Sequence, residues 1–315
     1  MHDFGHITPR SRLTISAWQE RRLRHAERFE RLVQPHVERR SRHEKHPVAD
    51  FLFEYYRFRP VRLRDWHPRI GVLLEGARIE DFARKDGYVE VEGGVIQIPG
   101  PASVKGPLES YVAGTRWMLN VLEATQAHPP KFGCFGLHEW AMLYKVGEQR
   151  HTQVPLRISN AVLEKTVDEI GLRCSHFDAF RFFTPDASPL NPTQLARETM
   201  VKHEQPGCLH ANMDVYRWAF KRAPWVPADL ILDAFELAMD IRTLDMASSP
   251  YDVRAWGIEP VRVEDRDGRA EFIRQQEAFS TRAHLLREQL IGVYQDLLDR
   301  LEVLHNSFAI AEAAS

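Results

Sequence analysis

The sequence has few cysteines, almost no net charge and no long apolar run. Three cysteines occur in 315 residues, none in a Cys-x-x-Cys pair. An odd count without pairs argues against a disulfide scaffold and leads us to expect a reduced, cytoplasmic setting. The formal net charge is −2, which excludes a globally basic nucleic-acid binder but leaves a local basic face open. No apolar stretch approaches the roughly 20 residues that span a bilayer, and the chain opens without an apolar signal core, so no membrane partner is expected. Phosphate-cradling loops of the P-loop and Gly-x-Gly-x-x-Gly types are missing, as is a Gly-x-Ser-x-Gly elbow. Neither low complexity nor a solenoid repeat is present.

What is there suits a packed core. Hydrophobic residues make up 43% of the chain and charged residues 27%, as in ordinary globular domains. The expectation is a mainly α fold: a helical single domain with a small β-hairpin and a long C-terminal amphipathic helix. Residues 1–45 read as a basic N-terminal helical extension, with Trp18, Leu23, Ala26, Phe29 and Val33 at helical spacing over 16–32. Ser16 is the expected N-cap, and Pro35 ends or kinks the helix. Its arginines read as a solvated, salt-bridged face, with a phosphate-contacting arm as the alternative. Residues 46–315 form the main domain. Phe51, Leu52, Tyr55 and Tyr56 share one helical face, and Tyr55, Tyr56 or Trp66 could stack a flat ligand. Alternation over 87–98 around Gly93-Gly94 predicts a hairpin.

The Pro/Gly-rich stretch 99–107 is a loop or boundary. Residues 108–127 and 229–246 are predicted helices. The second carries Asp229, Asp233, Glu236 and Asp240 on one side, a row that needs solvent, a metal or a basic neighbour. A short strand is expected over 260–264, then a turn at Asp267-Gly268. Over 269–307, Phe272, Phe279, Leu286 and Val293 repeat every seven residues, beside Ala283, Leu290, Leu297 and Leu304. Intramolecular packing of this helix is favoured over a homodimer formed through 269–304.

Residues 132–218 hold all three cysteines, each closely followed by a histidine and an acid: Cys134, His138 and Glu139; Cys174, His176 and Asp178; Cys208, His210 and Asp214. Thiolates and imidazoles are ligands for zinc or iron. The spacing matches no zinc finger, which shifts the expected chemistry from thiolate to His and carboxylate. His138, His176 and His210 could supply three imidazoles to a divalent metal, with Glu139 and Asp214 as further candidates. Without a metal, Glu139, Asp178 and Asp214 lie among large apolar side chains, where desolvation or a partner such as Arg181 would tune a water-activating carboxylate. Cys208, after Pro-Gly and before His210, could also be an activated thiolate.

The strings GCFGLHEWAM (133–142), CSHFDAFRFFTP (174–185) and QPGCLHANMD (205–214), with HPVADFLF (46–53) and SPYD (249–252), resemble a group of bacterial proteins labelled 3-methyladenine DNA glycosylase. The resemblance spans roughly 45–290. It implies hydrolysis of the bond between a damaged purine and its sugar, with the nucleobase of DNA extruded into an aromatic pocket. Asp178 or Asp214 would then be the catalytic carboxylate. Trp140, Phe177, Phe180 and Tyr216 would be the substrate-binding walls. No helix-hairpin-helix glycine pattern accompanies these strings, and three cysteines are too few for a four-ligand iron–sulfur cluster. Two other readings stand beside this one: a metal-dependent enzyme acting on a small molecule, and a helical scaffold without catalysis.

Overall fold

A computed structural model describes residues 8–82, 87–100, 103–104, 106–146 and 154–313, with side chains to residue 306. The rest of the 99–107 loop lies outside the described residues. The fold is mainly α, with a small sheet and a long C-terminal helix. In chain order the helices are α1 (Ile15–Leu32), α2 (Gln34–Ser41), α3 (Phe51–Tyr56), α4 (Leu108–Ala127), α5 (His138–Ala141), α6 (Asn160–Ile170), α7 (Phe177–Phe180), α8 (Met200–His203), α9 (Leu209–Lys221), α10 (Ala228–Ala247) and α11 (Arg266–Ala313). The strands are β1 (Ser11–Leu13), β2 (Val72–Glu75), β3 (Tyr88–Val91) and β4 (Gly94–Gln97).

The expected hairpin is β3–β4, antiparallel, with Tyr88 opposite Gln97. Gly94 is needed at the turn because a Cβ there would lie 2.0 Å from the Leu74 carbonyl oxygen. The hairpin belongs to a larger sheet, ordered β1-β2-β4-β3. Sequence reasoning missed β1 and β2 because three- and four-residue strands carry almost no period. The sheet has its own small core, in which Trp18 and Trp66 pack with Leu74, Phe82, Tyr88 and Val95.

Helix α1 caps on Thr14, whose side chain accepts from Ala17 N–H, rather than on Ser16. Phe29 and Val33 enter the main core, so this basic helix is packed onto the domain. Its arginines answer the acidic row of α10. Arg28 bonds Asp233 at 2.7 Å and Glu236 at 3.0 Å, and Arg31 also reaches Glu236. Asp240 pairs with Arg282 of α11. These basic neighbours take the place a metal would have had along that row.

The core is built by α4, α9, α10 and α11. Phe272, Ala283, Leu290, Val293 and Leu297 are fully buried within this chain. The seam that could have paired with a second copy is used intramolecularly. The stretch 260–264 is irregular rather than a strand, and Asp267-Gly268 lies in the first turn of α11, where Asp265 accepts from Gly268 N–H. No helix among the described residues is long and apolar enough to cross a membrane.

Candidate functional site

Each of the three Cys-His strings turns into a helix that delivers its histidine to the centre. In the first, Phe135 and Gly136 take left-handed backbone conformations. A Cβ on Gly136 would approach Ser248 Oγ to 2.7 Å. Trp140 is fully buried and donates from Nε1 to the Ser248 carbonyl at 2.9 Å. That anchor holds α5 on the end of α10, so His138 and Glu139 meet Arg242 and Asp245. In the second, Asn191 brackets Cys174, accepting from its N–H and donating to its carbonyl, and His176 caps α7. In the third, Gln205 Oε1 accepts from the Lys131 and Gly207 N–H groups. This fixes the turn into α9, which carries His210 and Asp214.

The histidines do not share one ligand set as expected. His138 and His210 join Asp245, with one ligand atom from each within 4.8 Å of the others. His176 joins Asp178 and Asp214 in a second such trio. His210 lies between, edge-on to His138 at 4.2 Å and stacked on His176 at 5.4 Å, centroid to centroid.

The two trios differ in what closes them. In the second, Arg217 donates to both Asp178 and Asp214 from one nitrogen. Tyr56 O–H takes the other Asp214 oxygen at 2.7 Å, and Arg181 lies 3.2 Å from the other Asp178 oxygen. Those carboxylates are satisfied by protein. In the first trio, Arg242 takes Glu139 and one oxygen of Asp245. The other oxygen, Asp245 Oδ1, lies 3.2 Å from His138 Nε2, and Glu139 Oε1 lies 3.8 Å from the same nitrogen, ion-pair contacts without a hydrogen bond. Two imidazoles and one carboxylate brought this close together form an arrangement that fits a metal ion.

Electrostatics follow from burial and these neighbours. Burial opposes the charge on His138, but Asp245 and Glu139 outweigh it and raise its pKa to about 9. His176 behaves likewise: burial lowers it, and Glu204 and Asp214 carry it to about 8. His210 is pushed well below the ordinary range by burial and by His138, so it is neutral. Asp178 is held low against burial by Arg217. Burial raises all three thiols, Cys174 to about 12, so they are protonated and poor nucleophiles. They line a small void behind His138 and His210. An activated Cys208 thiolate is therefore corrected to a buried thiol.

A cavity of about 710 Å³ opens in front of the first trio. His138, His210, Glu139 and Arg242 are among its lining groups, with Asp178 on the wall. Phe51, Tyr55, Phe182, Tyr251 and Trp256 supply aromatic surface. The expected walls Trp140, Phe177, Phe180 and Tyr216 do not line it. Trp140, Phe180 and Tyr216 are buried in the core, and Phe177 packs against it. Among the expected catalytic groups, Glu139 and Asp178 face the cavity. Asp214 is enclosed behind it, and Arg181, 46% exposed, lies against Phe182. Of the possible stacking aromatics, Tyr55 lines the cavity, Tyr56 holds Asp214, and Trp66 belongs to the sheet core.

Sequence reasoning missed Asp245, Arg242, Arg217 and Glu204. Arg217 follows Asp214 by three positions, and Asp245 follows Arg242 by three, the spacing of neighbours on one helix face. That was the available signal. No family model, curated protein or solved structure matches this chain.

Proposed function

We propose that this protein is a metal-dependent enzyme acting on a small molecule, with a divalent zinc or iron ion held by His138, His210 and Asp245. The observation that carries this reading is the close gathering of His138, His210 and Asp245, one ligand atom of each within 4.8 Å of the others and His138 Nε2 3.2 Å from Asp245 Oδ1. Two imidazoles and one carboxylate are a common ligand set for catalytic zinc and non-haem iron, and they leave coordination positions for water and substrate. Such an ion activates bound water or polarises a substrate oxygen. Glu139, ionised and facing the cavity, is the adjacent proton acceptor, and Arg242 fixes its orientation. The apolar walls exclude water and hold the substrate body. Elemental analysis of the purified protein tests the proposal. About one metal per chain is expected, lost in His210→Ala and Asp245→Asn. Metal-free protein that takes up no zinc or iron on reconstitution would sink it.

One observation favours a second reading, N-glycosidic hydrolysis of a damaged purine. Asp178, kept ionised by Arg217, shares a cavity wall with Tyr55 and Phe182. A carboxylate beside aromatic faces suits a flipped base and a developing oxocarbenium charge. Release of 3-methyladenine from alkylated DNA by metal-free protein, abolished by Asp178→Asn, supports this reading. No release rejects it.

A further inference from the structure

We infer that His46 anchors the cavity's ligand, an uncharged, flat aromatic carbonyl compound, by donating from Nε2–H to the carbonyl oxygen. The inference deepens the metal-dependent reading and rests on it only in taking the same cavity as the substrate site. His46 opens the 47–50 turn that leads into α3, and it lines the cavity. Its Nδ1 accepts from the backbone N–H groups of Ala49 at 3.0 Å and Val48 at 3.3 Å. A ring nitrogen that accepts these bonds carries no proton of its own, so the proton sits on Nε2. Burial and the nearby Arg39 lower the His46 pKa against the pull of Asp50, which keeps the ring neutral. The turn itself is fixed. Buried Asp50 accepts from His46 N–H at 2.8 Å with one oxygen, and from His36 and Arg39 with the other. Trp256 flanks the ring, 6.3 Å away between centroids. That leaves Nε2. Among the described residues it has no hydrogen-bond partner, and unlike the enclosed nitrogens of the interior it is open to solvent. A donor held rigidly in one tautomer on a cavity wall orients a ligand, and a neutral imidazole of this kind polarises a carbonyl.

The charged groups of the same wall are engaged or offset. Arg242 bonds Glu139 and Asp245, and His138 stands against Asp245. Asp178 is held by Arg217 and Arg181. Lys45 and Glu54 are exposed and of opposite sign. These pairings leave no side-chain charge in excess to select an ion, so the selecting contact at His46 is a neutral hydrogen bond. Phe51 and Tyr55, stacked at 5.1 Å, give aromatic faces to a flat body, with Phe182 and Trp256 elsewhere on the wall.

Calorimetric titration of the purified protein with 1-indanone, indane, 1-indanecarboxylate and 1-aminoindane tests this. The ketone is expected to bind more tightly than the carboxylate and the amine. His46→Ser keeps an oxygen that can cap the turn and removes the Nε2 donor. The ratio of ketone to indane affinity is expected to fall about three- to tenfold in that variant, the worth of one hydrogen bond. An unchanged ratio overturns the inference, as does no binding of the ketone at millimolar concentration. Tighter binding of the carboxylate or the amine overturns the uncharged class. If the serine variant does not fold, NMR of the imidazole nitrogens in wild type decides. An Nε2–H tautomer at neutral pH, its Nε2 signal moved by 1-indanone and not by indane, supports the inference. A protonated Nδ1 or an unmoved Nε2 overturns it. Repeating the titrations after chelation separates the two claims. A His46-dependent preference that survives metal removal supports the donor and one that vanishes overturns it, whereas failure to hold metal counts only against the function proposed above.

Discussion

Glu204 sets a carboxylate oxygen 2.8 Å from Nδ1 of His176, and both side chains are almost fully buried. A carboxylate behind a histidine orients the ring and favours its charged form. Burial works against that charge, Glu204 and Asp214 prevail, and the pKa stands at about 8. A raised histidine pKa stabilises the fold fully below the unfolded value near 6.5 and ceases to as pH rises through about 8. The contribution is about 2 kcal/mol. Glu204→Gln should lower the His176 pKa and remove this slope. Histidine NMR titration alongside urea unfolding at pH 6 and pH 9 reads both.

Arg217 should matter most for stability in the second trio. It is the cation that both Asp178 and Asp214 share. Arg217→Met leaves two largely buried carboxylates without it, and breaking a buried ion pair from one side costs about 3–5 kcal/mol. Arg217→Lys should lose less, since the charge remains while the geometry is poorer. Chemical denaturation of the three proteins would settle this, and a loss under 1 kcal/mol in the methionine variant would contradict it.

The pH dependence of the fold should also carry the mark of His67. Burial, with His25 beside it, lowers its pKa to about 3. A histidine depressed in the fold binds a proton more readily when unfolded, so stability falls as pH drops below about 6.5. The loss should reach about 3 kcal/mol by pH 4. His67→Gln should flatten that part of the profile relative to wild type. An identical acid slope in the two proteins would remove His67 from the account.

The thiols should prove dispensable for metal. Serine at Cys134, Cys174 or Cys208 should leave metal content unchanged, because burial keeps all three protonated and none is in the His138 ligand set. In native protein Cys208, 5% exposed, should resist a thiol reagent until unfolding. Metal loss in any serine variant would reinstate a thiolate centre.

Leu290 tests the role of α11. It is fully buried among core helices of its own chain. Leu290→Ala should destabilise by about 2–5 kcal/mol. The melting temperature of wild type and variant should be independent of protein concentration. A concentration-dependent transition would restore pairing between copies.

Much of the architecture was legible because it rests on local periodicity. The predicted helix over 108–127 matches α4, and that over 229–246 falls one residue short of α10 at each end. Gly93-Gly94 marked its hairpin through a backbone requirement confined to the turn. The 260–264 strand failed because, among the described residues, no strand pairs with that brief apolar alternation. The place of the site was legible too: His138, Glu139, Asp178 and His210 all reach the cavity from 132–218.

Local sequence thus specifies the helices, the hairpin and a polar centre made of three cysteine–histidine strings. Which histidine meets which acid is set by packing between elements far apart in the chain. His210 and Asp214 sit one turn apart on α9. The fold instead sends His210 to Asp245 of α10 and leaves Asp214 to His176 and Arg217. It likewise drew the cavity walls from Phe51 and Tyr55 on one side and from Tyr251 and Trp256 on another, while Trp140 and Tyr216 went to the core. The difference is one of range. Helix propensity and turn chemistry act over a few residues and can be read along the chain. Ion pairing and desolvation act through space, between residues that only packing brings together.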